Sequence, residues 1–129
     1  MRTMWLLYLL LTIGQTATGD QYSGTWAGTW EGPGTGGFEL TIAAPKDAAP
    51  TGKVAVTTDG GNYTADLKSL AFDGPKITAK YDFPLDPSAE VIVAGSFENG
   101  GAKGTWSLRP KGQGQEAEVA GGTWTVAKK

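Results

Sequence analysis

The sequence predicts an all-β fold, an eight-stranded antiparallel up-and-down barrel, with a two-sheet β-sandwich as the alternative. Three observations lead there. Apolar residues alternate with polar ones at a period of two through most of the chain. Turn-forming residues separate these runs at intervals of about eight to ten positions. No long stretch carries the 3.6-residue spacing of a helix, and 20 Gly and 7 Pro interrupt the 129 residues throughout.

The first run, 24–31, places Gly24, Trp26, Gly28 and Trp30 on one face and Thr25, Ala27, Thr29 and Glu31 on the other. The second, 37–44, turns Phe38, Leu40 and Ile42 inward, and the third, 52–58, Val54 and Val56. Tyr63, Ala65 and Leu67 form a fourth, although Leu67 and Leu70 cannot share a face of a regular strand. A bulge or break is therefore expected near Lys68-Ser69. Ile77, Ala79, Tyr81 and Phe83 make a fifth inward face, and Val91, Val93, Gly95 and Phe97 a sixth. The last two comprise Gly104, Trp106 and Leu108, then Gly122, Trp124 and Val126.

Asp59-Gly60-Gly61, Asp73-Gly74-Pro75 and Asn99-Gly100-Gly101 supply the residues that tight hairpins require. Longer loops are expected at 44–50, 85–89 and 110–117. Eight sequential strands joined by short turns favour closure by antiparallel pairing of the last strand with the first. The outward positions, among them Thr25, Thr29, Glu39, Lys53, Asp66, Lys80, Glu98, Lys103 and Arg109, suit water and not lipid.

The chain opens with Arg2, an apolar run from Trp5 to Ile13, and small residues at Ala17 and Gly19. This pattern reads as a secretory signal peptide, residues 1–19, too short in its apolar part to span a membrane. Residues 20–129 are then one domain of 110 residues, secreted or periplasmic, in which ten basic residues face 13 acidic ones. With so even a balance, no basic stripe points to nucleic acid, and after cleavage nothing points to a membrane. Zero Cys leaves the core alone to hold the fold. Asn62-Tyr63-Thr64 is a formal glycosylation sequon.

The triplet Gly-Thr-Trp occurs at 24–26, 28–30, 104–106 and 122–124. In each copy Gly and Trp point to the same side, so a glycine beside the ring or across the ladder can give the indole room. On a closed barrel Trp26, Trp30, Trp106 and Trp124 would form one continuous patch across the closure. They are read first as core. Truncation of Trp30 is then expected to cost about 3–5 kcal/mol. The competition of many large rings for a narrow interior predicts a filled barrel, with at most a shallow apolar pocket at one end.

Gly24-Thr25-Trp26 in the first strand, eight short strands and a Trp near the C-terminus resemble the calycin type of barrel: lipocalins, fatty-acid-binding proteins and avidins. The general likeness is strongest to avidin-like barrels, whose first strand also opens with Gly-Thr-Trp. The resemblance implies a ligand-holding barrel. It does not bring biotin with it, because the inward positions here are almost all apolar or small. Lipocalins pair the first-strand Trp with a basic residue near the last strand; Arg109 is the nearest candidate, and its parity puts it outside.

Absence of both His and Cys removes serine–histidine, cysteine and His- or thiolate-based metal chemistry. No cofactor loop is present, since the Gly-rich 32–37 segment precedes no helix. Asp82–Asp86 and Asp59–Asn62 lack the ligand density of a calcium loop and read as turns. The favoured reading is a non-enzymatic binding module for a small apolar ligand, or for another secreted protein as an adhesion or inhibitory module. The alternative is an isomerase- or hydrolase-type barrel enzyme using Tyr63, Tyr81 or a carboxylate. Candidate ligand contacts are Trp26, Trp30, Trp106, Trp124, Tyr63 and Tyr81, with no catalytic residue, metal or cofactor assigned.

Overall fold

The computed structural model describes residues 20–45 and 47–129. The signal-peptide reading of 1–19 lies outside them. Among the described residues nine strands form one antiparallel sheet: β1 (Gly24–Glu31), β2 (Thr35–Ala43), β3 (Thr51–Val56), β4 (Tyr63–Asp66), β5 (Ser69–Asp73), β6 (Lys76–Asp82), β7 (Ala89–Glu98), β8 (Gly101–Pro110) and β9 (Ala120–Lys128). The order is β4-β3-β2-β1-β9-β8-β7-β6-β5, so the first strand pairs with the last, from Trp26↔Lys128 to Glu31↔Thr123.

The sheet curls through 260° and its edges, β4 and β5, do not pair with each other. This corrects the closed eight-stranded barrel to an open curl of nine strands. The sandwich alternative is not formed either, because all nine strands belong to one sheet. The extra strand and the open seam have one cause, the break foreseen between the two leucines. Leu67 N–H donates to Gly52 O at 2.8 Å, whereas Lys68 N–H donates to Lys80 O, also at 2.8 Å. Consecutive residues thus continue the ladders of opposite sheet edges, and the chain crosses the seam between them. Leu67 and Leu70 both pack against the core as a result. They close on Gly52, where a Cβ would lie 2.9 Å from Leu67 Cδ1.

The core is the inward face that the alternation specifies, with Leu40, Val54 and Ile77 the most deeply buried large side chains. A two-residue hairpin joins β7 to β8 through Asn99 (φ 52°) and Gly100 (φ 81°). Two successive positive φ values define a type I′ turn, which the Asn-Gly pair accommodates.

Three of the four Trp residues in the triplets face a glycine across the ladder: Trp30↔Gly36, Trp106↔Gly122 and Trp124↔Gly104. Space, not backbone flexibility, demands glycine there. A Cβ on Gly36 would sit 2.7 Å from Trp30 Nε1, and one on Gly122 or Gly104 would overlap a neighbouring strand's carbonyl.

One covering element had no signal in the alternation. The 3-10 turn Gln115–Ala117 and the residues around it lie over the outer face of β8. There Ser107 is buried and donates to Glu118 Oε1 at 2.6 Å, while Arg109 Nε donates to Ser107 Oγ at 2.9 Å.

Candidate ligand pocket

The interior of the curl divides along its axis. Trp26 and Trp30 are four residues apart on β1, which separates them by about 13 Å. Trp26, 5% exposed, belongs to one end. There it meets Phe97 edge-on at 4.8 Å, and Tyr22 stacks on Phe97 at 4.0 Å and on Phe72 at 5.6 Å. Trp26 Nε1 donates to Tyr22 O, and Lys128 Nζ lies 4.8 Å from its ring centroid. The short 3-10 turn Asp20–Tyr22 therefore plugs this end. The four-Trp patch is corrected accordingly: Trp26 stands apart because it lies a full strand segment away along the axis, and Leu40 and Lys128, not glycine, flank it in the ladder.

The other end is open. An apolar cavity of about 120 Å³ is lined there by Trp30, Trp106, Trp124, Tyr63 and Tyr81, the other five candidates, together with aliphatic and Phe side chains. Its floor is buried and includes Phe38, Val93 and Trp124. Trp30, Tyr63, Phe83, Trp106 and Leu108 are half-buried and form the rim. Trp30 and Trp106 meet edge to face at 5.7 Å, the arrangement that opposes a ring's positive edge to a negative face. Phe38 and Trp124 tilt against each other at 5.6 Å.

Tyr63 reaches the pocket from β4 and Tyr81 from β6, so their contact bridges the open seam. The two hydroxyls are hydrogen-bonded at 2.8 Å, and Phe83 meets the Tyr63 ring edge-on at 5.6 Å. Burial raises the pKa of Tyr63, and burial followed by the neighbouring Tyr63 raises that of Tyr81 further. Both remain protonated near neutrality. With the phenolate so little populated, neither Tyr63 nor Tyr81 is placed to act as a general base near neutrality.

Ionic groups gather on the outer face of the same half. Lys68, at the break between β4 and β5, contacts Asp82 and Glu90 at 2.8 Å each, and Lys111 approaches Asp82 at 3.3 Å. Gly112 N–H also donates to Glu90 at 3.4 Å. The bond to Lys68 holds both carboxyls below the ordinary range, and Asp82 followed by Glu90 raises Lys68 in turn. Asp86 accepts from both the backbone N–H and the hydroxyl of Ser88, as a turn residue does.

Phe83 and Leu108 were foreseen as inward residues but not as parts of a site. Tyr22 was missed altogether, since a lone ring before the first strand has no periodicity to reveal it. Compared with protein-family models, curated proteins and solved structures, the chain matches none of them. The calycin and avidin likeness thus rests on the first-strand triplet and the strand pattern alone.

Proposed function

We propose that this protein is a secreted, non-enzymatic binding module that holds a small apolar ligand in the open end of its curled sheet. The observation that carries this reading is the contrast in filling. One end is sealed by a ring from the N-terminal segment, while the other keeps an apolar cavity of about 120 Å³ behind a rim of half-buried aromatic side chains. Binding sites of small ligands are concave, apolar and largely preformed, and this end has all three properties. Among the described residues, no carboxylate or amine lines the cavity. The reading as an isomerase or hydrolase consequently has no acid–base partner to draw on besides two tyrosines that burial keeps protonated.

The test is a titration with apolar probes followed by NMR of the Val93 and Leu108 methyl groups and the Trp106 indole N–H. At least one probe should shift these resonances saturably at one-to-one stoichiometry. Leu108→Trp, at the rim, should abolish the response while leaving the thermal midpoint nearly unchanged. If no apolar probe perturbs these resonances, the reading fails, and an adhesion or inhibitory surface directed at another secreted protein becomes the better one.

A further inference from the structure

The polar atoms around the pocket are already engaged by the protein itself. Trp30 Nε1 donates to Thr57 O at 2.9 Å, Trp106 Nε1 to Glu31 O at 3.0 Å and Trp124 Nε1 to Thr105 O at 3.0 Å. The Tyr63 and Tyr81 hydroxyls bond to each other. Thr58 Oγ1 donates to Gly61 O at 2.6 Å and accepts from Gly60 N–H at 3.1 Å. Two phenols joined by one hydrogen bond leave a single hydroxyl hydrogen over, and that is the only donor the lining side chains retain. A ligand's polar group would lose its water here and find only that hydrogen and the free lone pairs of the tyrosine and threonine hydroxyls. An ionised group would find no opposite charge, and burying one unpaired is far more costly.

Size restricts the ligand further. A dry apolar cavity of roughly 150 Å³ takes up benzene. This one, at about 120 Å³ and open on one side, has room for a single ring whose edge reaches the rim. A long acyl chain would leave most of its methylenes in water. The walls are flat, and a ring entering between Trp30, Trp106 and Phe83 would meet aromatic faces and edges, geometry that favours another planar ring.

Resting on the binding reading above, we infer that the pocket selects compact, uncharged, hydrocarbon-like molecules of one ring, and discriminates against carboxylates and long acyl chains. The selection lies in what the lining withholds. Because each indole N–H faces a main-chain carbonyl, the pocket attracts chiefly by shape and dispersion.

The experiment compares toluene, benzoate and decanoate at pH 7 on the full mature chain, by the same methyl and indole resonances. Toluene should bind one-to-one. Benzoate, of similar shape but ionised, should bind at least about tenfold more weakly, since its charge finds no partner. Decanoate should bind no better than benzoate. If benzoate or decanoate equals or exceeds toluene at Val93 and Trp106, this inference is overturned while the binding reading stands. If none of the three perturbs those residues, both fall. Should toluene bind without shifting Val93, or bind Leu108→Trp undiminished, its site is elsewhere and the inference is again overturned. These comparisons on the unaltered protein remain decisive even if the Leu108→Trp variant does not fold.

Discussion

The two ends of the curled sheet use the same kinds of side chain and finish differently. At one, Trp26, Phe72 and Phe97 receive a final ring from Tyr22. At the other, Trp30, Trp106 and Trp124 surround a space that none of the described residues fills. The ladder explains part of this contrast. Trp26 faces Leu40, whereas the three indoles of the open end face Gly36, Gly122 and Gly104. The rings themselves lie back over glycines: a Cβ on Gly36 would sit 2.7 Å from Trp30, one on Gly32 2.7 Å from Trp106 and one on Gly95 2.5 Å from Trp124. A repeated Gly-Thr-Trp therefore makes a wall as readily as a plug. Which one results depends on whether another chain segment supplies the last ring.

The largest expected effect comes from the plugged end. Trp26→Ala removes a fully buried indole, its edge contact with Phe97 and its hydrogen bond to Tyr22 O. Chemical denaturation should show a loss of about 3–5 kcal/mol. Toluene binding at the open end should survive in the folded fraction. A loss below about 1 kcal/mol would mean that Trp26 is not the core of that end.

Trp30→Ala should cost less, about 1.5–3 kcal/mol, because the ring is half-buried and less area is returned to water. This lowers the 3–5 kcal/mol that follows from reading all four Trp residues as core. The same substitution widens the pocket, and a two-ring probe such as naphthalene should gain affinity relative to toluene. Equal destabilisation by Trp26→Ala and Trp30→Ala would erase the distinction between the ends.

Tyr22→Ala converts the plugged end into an imitation of the open one. A half-buried ring stacked on Phe97 contributes about 1–2 kcal/mol. With it gone, Phe72, Phe97 and Trp26 should line a second apolar hollow, and toluene stoichiometry should rise from one towards two. An unchanged stoichiometry would show that the neighbouring side chains collapse into the vacated space.

Much of this arrangement was legible in the sequence, and the reasons differ by element. Alternation identifies the inward face of every strand except β5, because one side is buried and the other wet, and a slip of one residue would reverse them. The clash of Leu67 with Leu70 located the break. It could not show that the break would carry the chain across an open seam, since that depends on which edges Gly52 and Lys80 occupy after the sheet has curled. Five of the six candidate aromatics meet at one cavity: Gly-x-Trp spacing sets the face of Trp30, Trp106 and Trp124, and plain alternation that of Tyr63 and Tyr81. Trp26 does not join them because its depth along the axis depends on where the strand ends, which alternation does not encode. Tyr22 and the cover over Ser107 come from irregular segments, whose positions follow from the assembled sheet and not from any local period.

The smallest effect concerns the seam on the outer face of the open half. There Lys68 holds Asp82 and Glu90, with Lys111 and Lys80 adding positive charge nearby. Both carboxyls titrate below their ordinary values in the folded protein. Their contribution is therefore complete above the unfolded-state range of about 4 and disappears as pH falls through the lower folded-state values. Lys68 is raised, so its share persists at neutral pH and is lost only above about pH 10.4, as pH climbs through its folded-state value. Lys68 and Asp82 are well exposed, and solvent screens such pairs, so the thermal midpoint should stay flat from pH 6 to 9 and fall only modestly below pH 4. Hydrogen exchange gives the sharper reading. On acidification the amide of Lys68, bonded to Lys80 O at the seam, should lose protection before that of Ile77, which lies where β5 and β7 flank β6. In Lys68→Met the difference between these two amides should already be present at neutral pH and change little with acid. If acid deprotects both amides together in the unaltered protein, the ionic contact at Lys68 does not hold the open half, and its two tyrosines and Phe83 must seal the seam unaided.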